Sequence, residues 1–432
     1  MRTDAVVVGA GVIGASVALE LARRGMDVTV VDQGRQAGAA STSSSSTVVR
    51  FHYSTFEGVA LAYESMLRWT QWADHLGTVD PAGMATFEQV GAIVYEAPNF
   101  PADRVRAMFD RVGVAWQNWT PERSRELRPV FDPGCFWPPK PVDSDEFAAD
   151  PQGDVTCIFT PEGGYIDDPQ LAAHNLMHAA LQHGATFRFG ATVVDVLRSA
   201  GRVCGVDLAD GTTITTPIVV NCAGPWSSEF NKMAGVLDDM AITTRPLRQE
   251  VHVVNAPEGF SFNDGGLCVT DGDLGTYFRP QAGGTFLVGG LEPACDPMDW
   301  RESGDDCNPY PTVESWEANT WRAARRMPST ELPLAPRGLG ALYDVTNDWI
   351  PVYDRSCLDG FYMAIGTSGN QFKNAPTVGE MLAELIVAVE GGRDHDLDPV
   401  QFTLSHSGHV INVGHYSRRR QVHAESTNSV LG

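Results

Sequence analysis

The chain has 432 residues, 43% of them hydrophobic and 20% charged, a globular composition whose length suggests about two or three domains. Its 54 acidic against 31 basic residues give a formal charge of −23, which argues against a nucleic-acid partner or an anionic membrane surface. No apolar run approaches the roughly 20 residues that span a bilayer, and the eight scattered cysteines show neither a CxxC pair nor a zinc-like histidine spacing. No metal site is therefore expected. The thiols read as reduced, and the chain as cytoplasmic, because Met1 to Asp4 run straight into a strand-like segment with no room for a signal peptide.

Residues 5 to 32 read AVVVGAGVIGASVALELARRGMDVTVVD. Ala5 to Val8 is a continuous apolar run, as a parallel strand buried on both faces requires. Gly9-Ala10-Gly11-Val12-Ile13-Gly14 opens a helix that ends before Gly25, and a second strand runs from Asp27 to Val31 and stops on Asp32. Gly9 permits the tight turn, Gly11 lets a pyrophosphate approach the helix start, and Gly14 lets the helix pack on the strand. A carboxylate at the end of the second strand accepts hydrogen bonds from an adenosine ribose and repels a 2′-phosphate. Strand, helix, second strand and acid at this spacing predict a bound dinucleotide, without separating FAD from NAD.

The next stretch, STSSSSTVVRFHYST (41 to 55), begins like a flexible linker and ends in Val48, Val49, Arg50, Phe51 and Tyr53, residues that linkers lack. Gly58 to Gly77 has helical apolar spacing through Leu61, Met66, Leu67, Trp69 and Trp72, and reads as core. From about 89 to 160 the pattern breaks into short strands and proline-rich turns. GGYIDDP (163 to 169) leads into a helix through Leu171, Leu176 and Leu181, and Ile218 to Asn221 is another buried strand, ending in Cys222-Ala223-Gly224. Strand-like runs return in 236 to 334, followed by a tryptophan-containing helix at about 313 to 326. The last unit is a strand at Phe361 to Ile365, a glycine-rich turn holding Lys373, and a helix from about Thr377 to Val389; a polar tail follows 403 and is expected to run extended or wrap a neighbour.

This order of motifs resembles the D-amino-acid oxidase superfamily of FAD-dependent oxidoreductases, within it the sarcosine oxidase and glycine oxidase branch. The resemblance rests on the fingerprint with Asp32, the serine loop ending in Arg50, GGYIDDP, VVNCAGPWSSEF, YFRPQAGGTFLVGG, GLGALYDVTNDWIPVYD and GTSGNQFKNAP. It implies an α/β fold: a Rossmann-like FAD-binding domain with a doubly wound parallel sheet (1–88, 160–235 and 335–402), interleaved with a mixed-sheet α+β substrate domain (89–159 and 236–334), and a C-terminal tail (403–432). It makes the serine stretch an ordered loop along the cofactor, and gives non-covalent FAD contacts to Gly9, Gly11, Val12, Ile13, Gly14, Asp32, Gln33, Ser41, Thr42, Thr47, Val193, Ala223, Gly224, Trp226 and Ala341. Gly369, Asn370, Gln371, Phe372 and Lys373 match the loop that crosses the pyrimidine end of the flavin. Lys373 also matches a substrate-carboxylate ligand, Arg50 would face the flavin or the substrate carboxylate, and Tyr277 and Tyr343 match pocket tyrosines. Trp226 and both tyrosines read equally well as packing, and Arg50 also fits a surface ion pair.

Two positions depart from the family pattern. The cysteine that bonds the flavin in monomeric sarcosine oxidase falls on Ala341, and the lysine that promotes oxygen reduction falls, counting without gaps, on Val288. The resemblance implies oxidation of the C–N bond of a small secondary or tertiary amino acid, with oxygen or another electron acceptor as oxidant. The alternatives are an FAD subunit of a multi-subunit amine or opine dehydrogenase, with a homo-oligomer equally open, oxidation of a D-amino or 2-hydroxy acid, and a nucleotide-binding protein without redox activity.

Overall fold

In the computed structural model, which describes residues 1–424 and 426–431, the apolar runs of the sequence become the centre of a six-stranded sheet. Its order is Val352–Arg355, Phe361–Ile365, Ile218–Asn221, Ala5–Val8, Val28–Asp32, Thr186–Phe189. All neighbours are parallel except the edge strand Val352–Arg355. Both faces are covered, which is why these strands do not alternate in polarity. Ala5 and Val7 pack to one side and Val6 to the other; Tyr362 and Ala364 oppose Phe361, Met363 and Ile365 in the same way.

Helices Val12–Arg23, Pro169–Gln182 and Ala375–Glu390 cover the first face. Gly379 makes their close approach feasible, since a Cβ there would stand 2.2 Å from Ser16 Oγ. The other face carries a three-stranded antiparallel sheet, Val193–Ser199, Arg202–Leu208 and Thr213–Thr215, together with helix Ser227–Ala234. The chain leaves Ala5–Val8 toward one neighbour and later returns on its other side at Ile218–Asn221. Ligands of such sheets bind beyond the carboxyl ends of the strands at that reversal. The Rossmann-like parallel sheet expected from the sequence is thus present.

A nine-stranded mixed sheet forms the second layer. Its strands include Ala92–Tyr95, Gln117–Trp119 and Cys157–Thr160 from the earlier segment and Thr244–Asn255, Cys268–Asp271, Thr276–Gln281 and Thr285–Gly290 from the later one. Helix Val313–Arg326 packs on one face through Trp316 and Ala323, against Val254, Phe278, Phe286 and Val288. The strand Gly338–Thr346 pairs along Thr244–Asn255 and so belongs to this sheet, although it lies inside the segment expected to join the cofactor domain. The 89 to 160 stretch holds two helices, Ala102–Val112 and Pro121–Leu127, besides its strands.

The polar tail folds back over its own chain. Arg418 is buried between Asp354 and Asp396, at 2.9 and 2.8 Å, and Arg420 pairs with Asp348 at 2.8 Å. Ser426 Oγ donates to the Asp348 carbonyl at 2.6 Å. These anchors deliver Val430 to the cavity between the two large sheets.

Candidate functional site

A cavity of about 530 Å³ opens beyond the carboxyl ends of Ala5–Val8 and Val28–Asp32, and the cofactor and substrate residues expected from the sequence, from Gly9 to Lys373, line it, Val288 apart. At one end backbone dominates. Gly9 adopts φ +105°, and a Cβ on it would lie 2.2 Å from the Cys222 carbonyl oxygen, so only glycine fits the turn. Gly14 is pressed against the same turn, its missing Cβ 2.0 Å from the Gly9 carbonyl oxygen. Asp32 accepts from the N–H groups of Ala10 and Gly34, each at 2.6 Å, and so ties the two loops that flank the cavity mouth.

The serine stretch is ordered. Thr42 Oγ1 accepts from the Val12 N–H at 3.1 Å, and Ser41 Oγ donates to the Leu342 carbonyl at 2.7 Å. Ser46 Oγ and the Tyr277 hydroxyl share a hydrogen bond of 2.7 Å. Thr47, at φ +54°, donates its hydroxyl to the Ile166 carbonyl at 2.5 Å, which turns the chain into Val48 and Val49. A linker makes no such set of bonds; this loop forms one wall of the cavity.

The other end is built from side chains. Arg50 is buried and donates to the carbonyls of His52 and Val430. Lys373 is buried too, with Nζ donating to the Asn370 carbonyl at 2.7 Å, and both cations face the Tyr53 ring, at 5.2 and 5.0 Å from its centre. Neither makes an ion pair among the described residues. Burial holds Lys373 well below the ordinary lysine value, and the Arg50 charge adds to the effect. The surface ion pair considered for Arg50 is therefore excluded. The Tyr343 ring lies against Gly369, where a Cβ would come within 2.4 Å of it. Burial raises both the Tyr277 and the Tyr343 hydroxyls above the ordinary tyrosine value.

One expectation fails on register. Val288 opposes Phe278 in the antiparallel ladder and packs in the core with Trp316, whereas Gly289 opposes Tyr277. Successive residues of a strand face opposite sides. Leu287 and Gly289 therefore share the sheet face of Tyr277, and Val288 points the other way, into the core and not into the cavity. Ala341 does line the cavity, as expected. The nearby His52 ring lies outside it, packed edge-on against Phe109 at 4.9 Å.

Sequence reasoning missed two residues. Val430 reaches the cavity only through the fold of the tail, and nothing in its neighbourhood of the sequence marks it. Glu292 follows Leu291, a cavity-lining residue, and both of its carboxylate oxygens are buried without a hydrogen-bond partner among the described residues. A single acid two residues past the Gly289-Gly290 strand end was the available signal.

The nucleotide end can be tested against a dinucleotide. The N–H groups of Ile13 and Gly14 belong to a helix start, which no intrahelical carbonyl satisfies, and Gly11 leaves the approach to them open. A carboxylate, Asp32, stands at the end of the neighbouring strand. These residues fit the pyrophosphate and ribose of FAD.

The profile of the family described as FAD dependent oxidoreductase matches residues 4–385. The chain is 25% identical to FAD-dependent oxidoreductase domain-containing protein 1 of Xenopus laevis over 434 residues, covering 90% of this chain and 80% of that one. It is 24% identical to 4-methylaminobutanoate oxidase (formaldehyde-forming) of Paenarthrobacter nicotinovorans, over 96% of this chain and 47% of that one, and 28% identical to human mitochondrial sarcosine dehydrogenase, over 58% and 27%. L-Proline dehydrogenase from P. horikoshii superposes with a TM-score of 0.74 at 23% identity, covering 96% of this chain and 97% of that one; glycine oxidase from Geobacillus kaustophilus gives 0.72 at 20%, covering 98% and 100%. The fingerprint, the two-sheet fold and the profile match together show that the chain belongs to the D-amino-acid oxidase family of FAD-dependent oxidoreductases and is an enzyme whose cofactor is FAD.

Proposed function

We propose that the enzyme oxidises the C–N bond of a small secondary or tertiary amino acid. The observation that carries this reading is the pair of buried cations, Arg50 and Lys373, at one end of the cavity whose other end holds the dinucleotide fingerprint. Two buried cations whose hydrogen bonds go to carbonyl groups make no ion pair among the described residues, and a substrate carboxylate supplies the missing partner. An arriving carboxylate also favours the charged form of Lys373, which burial alone disfavours.

In this reading Gly9, Gly11, Gly14 and Asp32 hold the nucleotide half of the cofactor, and the loop from Ser41 to Thr47 with Ala223, Gly224 and the turn Gly369 to Lys373 encloses the flavin. Bound FAD supplies the hydride acceptor at N5. Arg50 and Lys373 grip the carboxylate and so fix the α-carbon, Tyr277 and Tyr343 wall the pocket and limit water, and the resulting imine hydrolyses after release. The names of the 4-methylaminobutanoate oxidase and sarcosine dehydrogenase relatives support a methylated amine as substrate class. The parallel sheet with residues 1–88, 160–235 and 347–402 serves as cofactor domain, and the nine-stranded sheet serves as substrate domain. The eight free cysteines suit a cytoplasmic enzyme; among the described residues no helix is long and apolar enough to cross a membrane.

The test is an anaerobic screen of N-methyl amino acids, cyclic imino acids, D-amino acids and 2-hydroxy acids, scored by loss of flavin absorbance. An N-methyl or cyclic amino acid is expected to bleach the flavin fastest. Bleaching by hydroxy acids alone would overturn the amine assignment.

A further inference from the structure

The two cations at the substrate end share a third side chain, which the proposed reaction has not used. Tyr53 ends the loop that carries Arg50, just before Thr55 caps the helix Phe56–Thr70 by accepting from the Gly58 N–H at 3.2 Å. Gly58 leaves room for it, since a Cβ there would stand 2.9 Å from the Tyr53 Cβ. Lys373 arrives from the far end of the chain in the turn Phe372–Asn374, and Trp69 of that same helix donates to its carbonyl at 2.7 Å. One helix therefore seats both the tyrosine and the backbone of the lysine.

Tyr53 touches the pair in two ways. The Arg50 guanidinium and the Lys373 ammonium stand over its ring, at 5.2 and 5.0 Å from the centre. Its hydroxyl donates to the Asn370 carbonyl at 2.7 Å, the same oxygen that accepts from Lys373 Nζ at 2.7 Å, and Asn374 Nδ2 donates to that hydroxyl at 3.4 Å. Tyr53, Asn370, Lys373 and Asn374 are all buried. An aromatic face is electronegative and attracts a cation, more so where water is excluded. It carries no net charge, so it eases the repulsion between the two cations and leaves both unneutralised for a ligand. An acid in its place would pair with them and shut a carboxylate out. We propose that Tyr53 is the positioning residue of the carboxylate site: its ring keeps Arg50 and Lys373 charged and side by side, and its hydroxyl fixes the carbonyl on which Lys373 rests. This rests on the carboxylate-binding reading above.

The charges of the site give this role a pH signature. Burial disfavours both cations; Tyr53, Tyr343 and Glu292 are the titratable groups that bear on Arg50, and Arg50 is the one that bears on Lys373. Lys373, held well below the ordinary lysine value, is the cation that loses its charge first as pH rises. Tyr53 does not titrate with it, because burial pushes its hydroxyl up to about 12 against the Arg50 charge and the Asn374 hydrogen bond. A carboxylate ligand therefore binds fully below the Lys373 pKa and weakens as pH climbs through it. A ring that favours the ammonium holds this limb up, and a weaker ring lets it fall to lower pH.

The test reads binding to the FAD-loaded enzyme, not turnover. The probe is propanoate, a carboxylate without an amine, followed across pH by perturbation of the flavin absorbance. Tyr53→Phe keeps the ring and loses one neutral hydrogen bond, so it should weaken propanoate about two- to tenfold with the limb in place. Tyr53→Leu removes the ring and should weaken propanoate at least tenfold and bring the limb down by about one pH unit, with FAD content unchanged. Tyr53→Phe carrying one, two and three ring fluorines, which drain the ring face at nearly constant volume, should lower the limb step by step. A role in packing alone weakens binding equally at every pH, so a limb that stays fixed in Tyr53→Leu and along the fluorine series overturns the assignment, as does parent affinity in Tyr53→Leu. Should Tyr53→Leu not fold, the fluorine series decides alone. If the parent itself binds propanoate with no limb, the carboxylate-binding reading has failed and the role of Tyr53 falls with it, an outcome distinct from a parent limb that the variants do not move.

Discussion

The two ends of the cavity are held by different means. At the nucleotide end, Asp32 and Thr42 accept from the backbone N–H groups of Ala10, Gly34 and Val12, and Gly9 and Gly14 are pressed into the turn by their missing Cβ atoms. At the substrate end, Arg50, Tyr277, Tyr343, Lys373 and Val430 come from distant parts of the chain, and the two cations are paired with backbone carbonyls alone. The first arrangement holds its shape by itself and offers a ligand the free N–H groups of its helix start. The second awaits one, so damage at the first should cost the cofactor, and damage at the second should cost substrate affinity with FAD retained.

The largest effect is expected at Gly9. Gly9→Val combines a forbidden backbone conformation with a Cβ 2.2 Å from the Cys222 carbonyl oxygen, and the purified protein should be colourless; a normal ratio of flavin to protein absorbance would break the comparison. Asp32→Ala removes a carboxylate that accepts two N–H groups at 2.6 Å each. Charged hydrogen bonds of this type are worth about 1.5–3 kcal/mol, so the FAD Kd should rise about ten- to a hundredfold in a titration of the apoprotein. Thr42→Ala loses one neutral hydrogen bond to the helix start, roughly 0.5–1.5 kcal/mol, and should weaken FAD only a few-fold in the same titration. The smallest effect concerns oxygen. Val288→Lys places its charge in the core beside Trp316 and not in the cavity, so it should lower Tm without speeding reoxidation of the reduced enzyme in stopped flow.

The same contrast decides what could be read from the sequence. The fingerprint was legible because its function is local: a turn, a helix start and a strand end lie within residues 5 to 32, and glycine is the one residue that suits Gly9. Arg50 and Lys373 were legible only through a resemblance, since nothing near either residue shows that they meet over the Tyr53 ring. Val288 was misplaced because counting along a strand without knowing its register errs by a whole face when it errs by one residue. The helix Ala102–Val112 went unread although Val105, Met108, Phe109 and Val112 keep helical spacing, because the proline-rich segment that follows dominated the region. Glu292 and Val430 depend on a positive φ and on the fold of the tail, and neither has a signature of its own.

The claim that most needs testing is that the two buried cations hold the substrate carboxylate. Lys373→Met keeps the bulk of the side chain and removes its charge, and the measurement is the substrate Kd from anaerobic flavin reduction, taken alongside FAD content across pH. The account predicts full FAD occupancy and a Kd raised about ten- to a hundredfold, the worth of one charged hydrogen bond of roughly 1.5–3 kcal/mol. Because burial lowers the Lys373 pKa, the parent should bind the carboxylate more weakly as rising pH removes that charge, and the variant should lose this dependence. Unchanged affinity and an unchanged pH dependence in Lys373→Met, with FAD in place, would contradict it.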